Sequence, residues 1–302
     1  MEAQIEIYYS RVPSIIVLFY LAGFIVTLKM ATYRDRKLEN STEQNRNAWE
    51  TRSKLLGTSL KSVLFKGLPD VVNEHLHNWH KNLILNTIEN KHKLRMLDVG
   101  CGYGRLSMAI IERFPDMDLT GVDISENYVS LYKKNTNQPA FVGAIENFPA
   151  ELGTFDCIIC ITVLMYVDDE NLGRAIDHLF LHLKPGGKLI LIEPHYSGTH
   201  FQTVFGILPL LMKRIRRDTV NTGGRSFKGN KLEDLLRNAG GKILSENRIP
   251  VTSFCFLLMA LFGIMLPNRV AKGIFKMISR LDDLLGMLKL PSIYVAYVLT
   301  KD

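Results

Sequence analysis

The feature that most constrains this chain is a change of rhythm across residues 94–123. Residues 94–99 (LRMLDV) are short and mainly apolar, as a buried strand is. Gly100, Gly102 and Gly104 follow at alternate positions, and residues 105–114 (RLSMAIIERF) then take up a helical period. Residues 119–122 form a second short strand, ending in Asp123. Strand, glycine turn, helix and strand make one parallel βαβ unit. A parallel sheet is covered by helices on both faces, and its ligands bind beyond the carboxyl ends of the strands. The glycines let the backbone turn sharply and pass close to a ligand. The helix N-terminus behind them offers free N–H groups. A carboxylate at the tip of the second strand, Asp123, can accept hydrogen bonds from both ribose hydroxyls.

Composition removes several alternatives. The chain has 302 residues, 47% hydrophobic and 22% charged, which suits a folded core and argues against disorder. Four cysteines are too few for a disulfide scaffold. Cys157 and Cys160 fall three apart in one expected strand, so they point to opposite faces. His75, His77 and His80 sit in an expected amphipathic helix over 70–90, but their offsets spread them around it. Zinc ligands on a helix recur at i and i+4, so no metal is expected.

The loop reads GxGxG with Asp98 before it, and Arg105 stands where a dinucleotide fingerprint has its third glycine. This pattern resembles the class I S-adenosylmethionine-dependent methyltransferases, especially the small-molecule branch that includes ubiquinone and menaquinone methyltransferases. The resemblance continues in order. Residues 141–149 (FVGAIENFP) resemble the family's loop after strand three. Residues 155–167 resemble its fourth strand and the turn beyond, and 183–194 (LKPGGKLILIEP) its Lys-Pro-Gly-Gly turn and fifth strand. It covers residues 90–200, and weakly 228–302.

The resemblance implies an α/β fold with a doubly wound, seven-stranded Rossmann-like sheet, closed by an antiparallel hairpin at 241–248 and 293–300. It implies S-adenosylmethionine as cofactor. Asp98 would face the ammonium end and Asp123 the ribose. Gly100, Cys101, Gly102 and Gly104 would form the loop, with Ile124, Ile145 and Glu146 around the adenine and Ile161 also on the cofactor. Ala144 stands where the family often has an acid, so Glu146 or a backbone carbonyl would receive the adenine amine. Tyr166 stands where many relatives have histidine. Methyl transfer needs alignment, and a base only where the acceptor must lose a proton. Tyr166 and His195 are the catalytic candidates, His195 as base because its ordinary pKa lies near neutrality. No Asn/Asp-Pro-Pro-Tyr-type motif follows strand four, so no nucleic-acid partner is expected.

Outside this core the chain is apolar in blocks. Residues 12–28 carry no charge, and seventeen residues just reach the lower limit for crossing a bilayer. Arg11 precedes them, while Lys29, Arg34, Arg36 and Lys37 follow. The positive-inside rule then predicts a single-pass anchor over 1–30, with the N-terminus outside and the catalytic domain in the cytoplasm. A signal peptide and a core helix are the competing readings; Glu2 and Glu6 speak against the first. Residues 31–69 are expected to be a linker and N-terminal helix, and 70–302 the methyltransferase domain. From residue 212 onward there are 16 Lys+Arg against 7 Asp+Glu. Residues 251–266 are uncharged, and 269–290 follow a basic amphipathic period. Arg269, Lys272, Lys276 and Arg280 fall on one face, with Val270, Ile274, Met277, Ile278 and Leu281 on the other. A crossing at 251–266 would part the closing hairpin, so 201–220 and 251–290 are expected as hydrophobic lid or membrane-contact segments. The expected protein is a membrane-associated methyltransferase of a lipophilic small molecule (a lipid, isoprenoid or quinone-like acceptor), with membrane lipids as partners. A tethered methyltransferase of soluble molecules or proteins, and a catalytically idle scaffold, remain open.

Overall fold

The computed structural model describes residues 42–88, 93–196 and 224–301. The expected anchor at 12–28 and the segment 201–220 lie outside the described residues. Three helices come first: α1 (Thr42–Leu56), the single turn α2 (Leu60–Val63) and α3 (Asp70–Thr87). The alternating core follows as β1 (Arg95–Val99), α4 (Arg105–Arg113), β2 (Asp118–Asp123), α5 (Glu126–Thr136), β3 (Ala140–Val142), β4 (Phe155–Ile161), α6 (Leu172–Leu181) and β5 (Leu183–Tyr196). The remainder is β6 (Phe227–Lys228), α7 (Lys231–Asn238), β7 (Gly241–Arg248), α8 (Pro250–Met265), α9 (Asn268–Leu285) and β8 (Tyr294–Lys301).

The sheet runs β3-β2-β1-β4-β5-β8-β7. The first five of these strands are parallel, and β8 lies antiparallel between β5 and β7. The expected seven strands gain an eighth, because the two-residue β6 pairs with β5 at His195 and Tyr196. The hairpin of β7 and β8 falls where the sequence placed it.

Strand β4 (FDCIICI) is almost entirely buried, as a central parallel strand covered on both faces must be. Leu97 and Val99 of β1 point into a core shared with α6, α7 and β8. Asp98 alternates with them and points the other way, where Ser107 of α4 meets it. Ser125 caps α5 by accepting from the Tyr128 amide. Cys101, Cys157 and Cys160 are buried free thiols. Among the described residues no helix is long and apolar enough to cross a membrane.

Candidate active site

A cavity of about 1030 Å³, its mouth included, opens at the carboxyl ends of β1, β2 and β4. The strand order reverses between β1 and β4, which is where open α/β sheets bind ligands. The glycine loop forms one wall. Gly100 has φ +69° and Gly104, which begins α4, has φ +86°. Both values lie in the left-handed region that favours glycine. A Cβ on Gly100 would also run into Val163. The amides of Gly100 and Cys101 both donate to the Val122 carbonyl, at 2.8 and 3.0 Å, tying the loop to β2.

Asp98 and Asp123 are the buried carboxylates of this cavity. Asp98 accepts from Ser107 Oγ at 2.7 Å. Burial pushes its pKa up to about 6, against the pull of Ser107 and Arg105. Asp123 accepts from the amides of Gly102 and Ser125, each at 2.9 Å. Burial raises it to about 6 as well, with those amides pulling down. A carboxylate has about four lone-pair sites, so both retain acceptor capacity toward a ligand.

Nine of the ten residues expected around the cofactor line this cavity: Asp98, Gly100, Cys101, Gly102, Asp123, Ile124, Ile145, Glu146 and Ile161. Gly104 stands behind it, beginning α4. Tyr166 lines the cavity, on a 3-10 turn over Leu164–Tyr166. That turn hangs from Glu193, a fully buried carboxylate that accepts from the amides of Val163, Leu164 and Met165 at 2.9, 2.8 and 3.1 Å. Burial pushes Glu193 up to about 8 against those three donors.

His195 is not brought to the cavity. It is buried, its Nε2 lies 3.0 Å from the Gly229 carbonyl, and its Nδ1 lies 3.5 Å from Arg248 Nη1. Burial, with help from Arg248, holds its pKa below the ordinary histidine value. A ring with both nitrogens engaged in the core has none left for a substrate proton.

Several wall residues had no individual role in the sequence. Helix α1 is neither linker nor freely exposed. Its Thr42 Oγ1 donates to Glu146 Oε1 at 2.6 Å, and its Asn45 donates to the Tyr166 carbonyl at 2.8 Å. Its Trp49 meets the Tyr166 ring edge-on, centroids 5.1 Å apart. Glu50 anchors the helix by accepting from Ser125 Oγ and the Asn127 amide. The one signal for this in a polar stretch was Trp49 itself. Arg105 also lines the cavity and is buried. Its two terminal nitrogens each donate at 3.0 Å, to Nδ1 of His77 and of His80. Both rings must then be neutral. Burial first, and the arginine charge second, hold His77 at about 4 and His80 well below its ordinary value. His77 and His80 thus serve the Arg105 guanidinium.

Residues 96–187 match the family described as a methyltransferase domain. The ubiquinone biosynthesis O-methyltransferase of Coxiella burnetii is 35% identical over 41% of this chain and 55% of its own length. The domain is that of a class I S-adenosylmethionine-dependent methyltransferase. A second relative, the U6 snRNA methylphosphate capping enzyme Amus of Drosophila melanogaster, is 26% identical over 42% of this chain and 50% of its own. The chain thus spans about half the length of the curated relatives it matches. The cyclopropane synthase MmaA2 of Mycobacterium tuberculosis shares the methyltransferase fold, with TM-score 0.57 and 14% identity over 85% of this chain and 98% of that one.

The cofactor of this methyltransferase domain is S-adenosylmethionine, and the cavity suits it. Asp123, at a strand tip, would suit a ribose diol. A second carboxylate and a guanidinium, Asp98 and Arg105, would suit the two charged ends of an amino-acid tail. Apolar side chains at Ile124, Ile145 and Val167 suit a base.

Proposed function

We propose that this chain transfers the methyl group of S-adenosylmethionine to a lipophilic small molecule, such as a lipid, an isoprenoid or a quinone-like compound. The observation that carries the reading is the division of the cavity wall. Buried charge sits beside the glycine loop, while Trp49, Val63, Ile161, Val163, Tyr166 and Val167 make an apolar and aromatic stretch of wall, with Thr42, Asn45, Thr162 and Asp168 among them.

When bound, the cofactor supplies a sulfonium methyl: the acceptor's electron pair forms the new bond to carbon as the carbon–sulfur bond breaks and its electrons return to sulfur. The chain's own residues hold and exclude. Asp123 fixes the ribose, Asp98 the ammonium and Arg105 the carboxylate. Trp49 and Tyr166 form an aromatic wall that aligns an apolar acceptor and keeps out water. Because His195 is committed to Gly229 and Arg248, its contribution is to hold β5 against β6. An acceptor that must lose a proton finds Tyr166 and Asp168 on the wall.

The test is calorimetry on detergent-solubilised full-length protein with S-adenosylmethionine and S-adenosylhomocysteine, followed by transfer of labelled methyl to fractionated cell extract. The expected result is binding of both and label in the lipid-soluble fraction. Label in the RNA, protein or aqueous fraction instead would overturn the acceptor class. Folded protein that binds neither compound would establish the idle scaffold.

A further inference from the structure

Helices α8 and α9 pack on each other and on α3, and no residue of either lines the cavity. They are therefore not a lid over the described site, and their outer faces need another explanation. The inner side of α8 buries Thr252, Ser253, Phe256, Met259 and Ala260. Its outer side carries Phe254, Leu258, Leu261 and Met265, at i, i+4, i+7 and i+11, and all four are exposed, Phe254 at 81%. The helix contains no charged residue at all. An outward face this apolar is unusual for a helix bathed in water.

Helix α9 completes the surface. Ala271, Phe275, Ile278 and Asp282 face inward. At 100° per residue a second stripe, Val270, Met277, Leu281 and Leu284, lies to one side and is exposed, Leu284 at 74%. Ile278, expected on that apolar face, belongs to the core side instead. Beyond the exposed stripe runs a third, of Arg269, Lys272, Lys276 and Arg280. Of these cations only Lys272 has an ion-pair partner among the described residues, Glu74 at 2.6 Å. Asp283 is the one exposed acid of the helix.

We propose that the α8–α9 face docks on an anionic lipid bilayer. The apolar stripes enter the boundary between headgroups and acyl chains, and the unpaired cations meet the headgroup charge. A two-fold contact between copies would instead gather two cationic stripes into one interface with little acid to answer them. The face is also coupled to the site: Phe256 of α8 packs on Phe65, centroids 5.6 Å apart, two residues beyond the wall residue Val63. The proposal concerns binding, and holds whether or not the acceptor assignment does.

Residues 12–28 could hold the chain on a bilayer by themselves, so the readout must be local. A Leu284→Cys, Cys255→Ser chain carries an environment-sensitive fluorophore at 284. It is reconstituted in vesicles of phosphatidylcholine, with or without phosphatidylserine. The expected result is a blue-shifted label, quenched by spin-labelled lipid, with docking favoured by phosphatidylserine and weakened by salt. Arg269→Glu, Lys276→Glu, Arg280→Glu should weaken docking by about fivefold for each positive charge removed and more for each negative charge added, so by at least roughly a hundredfold together. Unchanged binding of S-adenosylhomocysteine shows that the variant is folded. A label that stays solvent-exposed, or docking indifferent to phosphatidylserine and to the three reversals, would overturn the proposal. A label shielded without lipid, together with doubled mass in light scattering, would assign the face to a second copy.

Discussion

Asp98 and Asp123 each carry a carboxyl pushed up to about 6 in a cavity built for a positively charged cofactor. Below that pH both are neutral, so S-adenosylmethionine should bind more weakly as pH falls through 6. The fall should be up to about tenfold per pH unit for each proton taken up, and calorimetry between pH 5 and pH 7.5 reads it directly. Asp123→Ala should weaken binding at every pH, since no other buried carboxylate stands at the tip of β2. Glu193 has the opposite lesson for the unliganded protein. Its folded-state value, about 8, lies above the ordinary 4.5, so the native state holds this proton more tightly than the unfolded chain. Stability therefore falls as pH rises from about 4.5 to 8. Below about 6.5 the buried histidines, shifted downward, act in the reverse sense. Between pH 6.5 and 8 Glu193 should dominate, with a slope of up to about 1.4 kcal/mol per unit. Thermal melts of Glu193→Gln should lose that slope. At this scale the sequence revealed what the backbone needs: the glycines, and carboxylates at strand tips. It did not reveal Arg105 or Trp49, whose roles depend on which distant helix folds over them. His195 misled for a related reason, since a strand position near the site does not fix which neighbours claim its ring.

Helices divide by how much their own pattern determined. α4 and α9 were legible because apolar periodicity and a glycine or proline boundary mark them, whereas α8 was legible only as an uncharged block. α1 was half legible: the stretch reads as a linker and N-terminal helix, yet its polar side chains close the cavity through Thr42 and Asn45 and anchor the helix through Glu50. α8 shows a further device. Its N-terminal amides at Val251 and Thr252, and the Thr252 hydroxyl, all donate to Asp282 of α9, thirty residues on. His75 of α3 joins through the Thr252 hydroxyl, 3.0 Å from its Nε2. Asp282 thus caps one helix from another, and ties three helices at one buried point. Asp282→Ala should cost about 1.5–3 kcal/mol in denaturant melts, the range for a hydrogen bond to a charged group. Lipid binding by the α8–α9 face should drop with it, because the angle between the helices is no longer held.

Across the whole molecule, the doubly wound sheet and its closing hairpin were legible, from the βαβ alternation and the family resemblance. The eighth strand was not, because two residues carry no period. What holds the sheet is the placement of β8, paired with β5 along seven residue positions and with β7 along seven. Deleting residues 294–301 should leave no cooperative unfolding transition in circular dichroism, because β5 loses its antiparallel neighbour and β7 loses the one strand it pairs with among the described residues.

That placement has a consequence for synthesis. Strand β5 ends at Tyr196, and β8 begins only at Tyr294. A ribosome must therefore make the intervening stretch while one edge of β5 stands open, with its amides and carbonyls unpaired. The nascent chain carries that bare edge together with the oily helix α8, so its exposure to chaperones and to misassociation is set by translation speed across this stretch. Synonymous changes that slow the ribosome between codons 197 and 293 should lower the yield of folded protein without altering one residue of it.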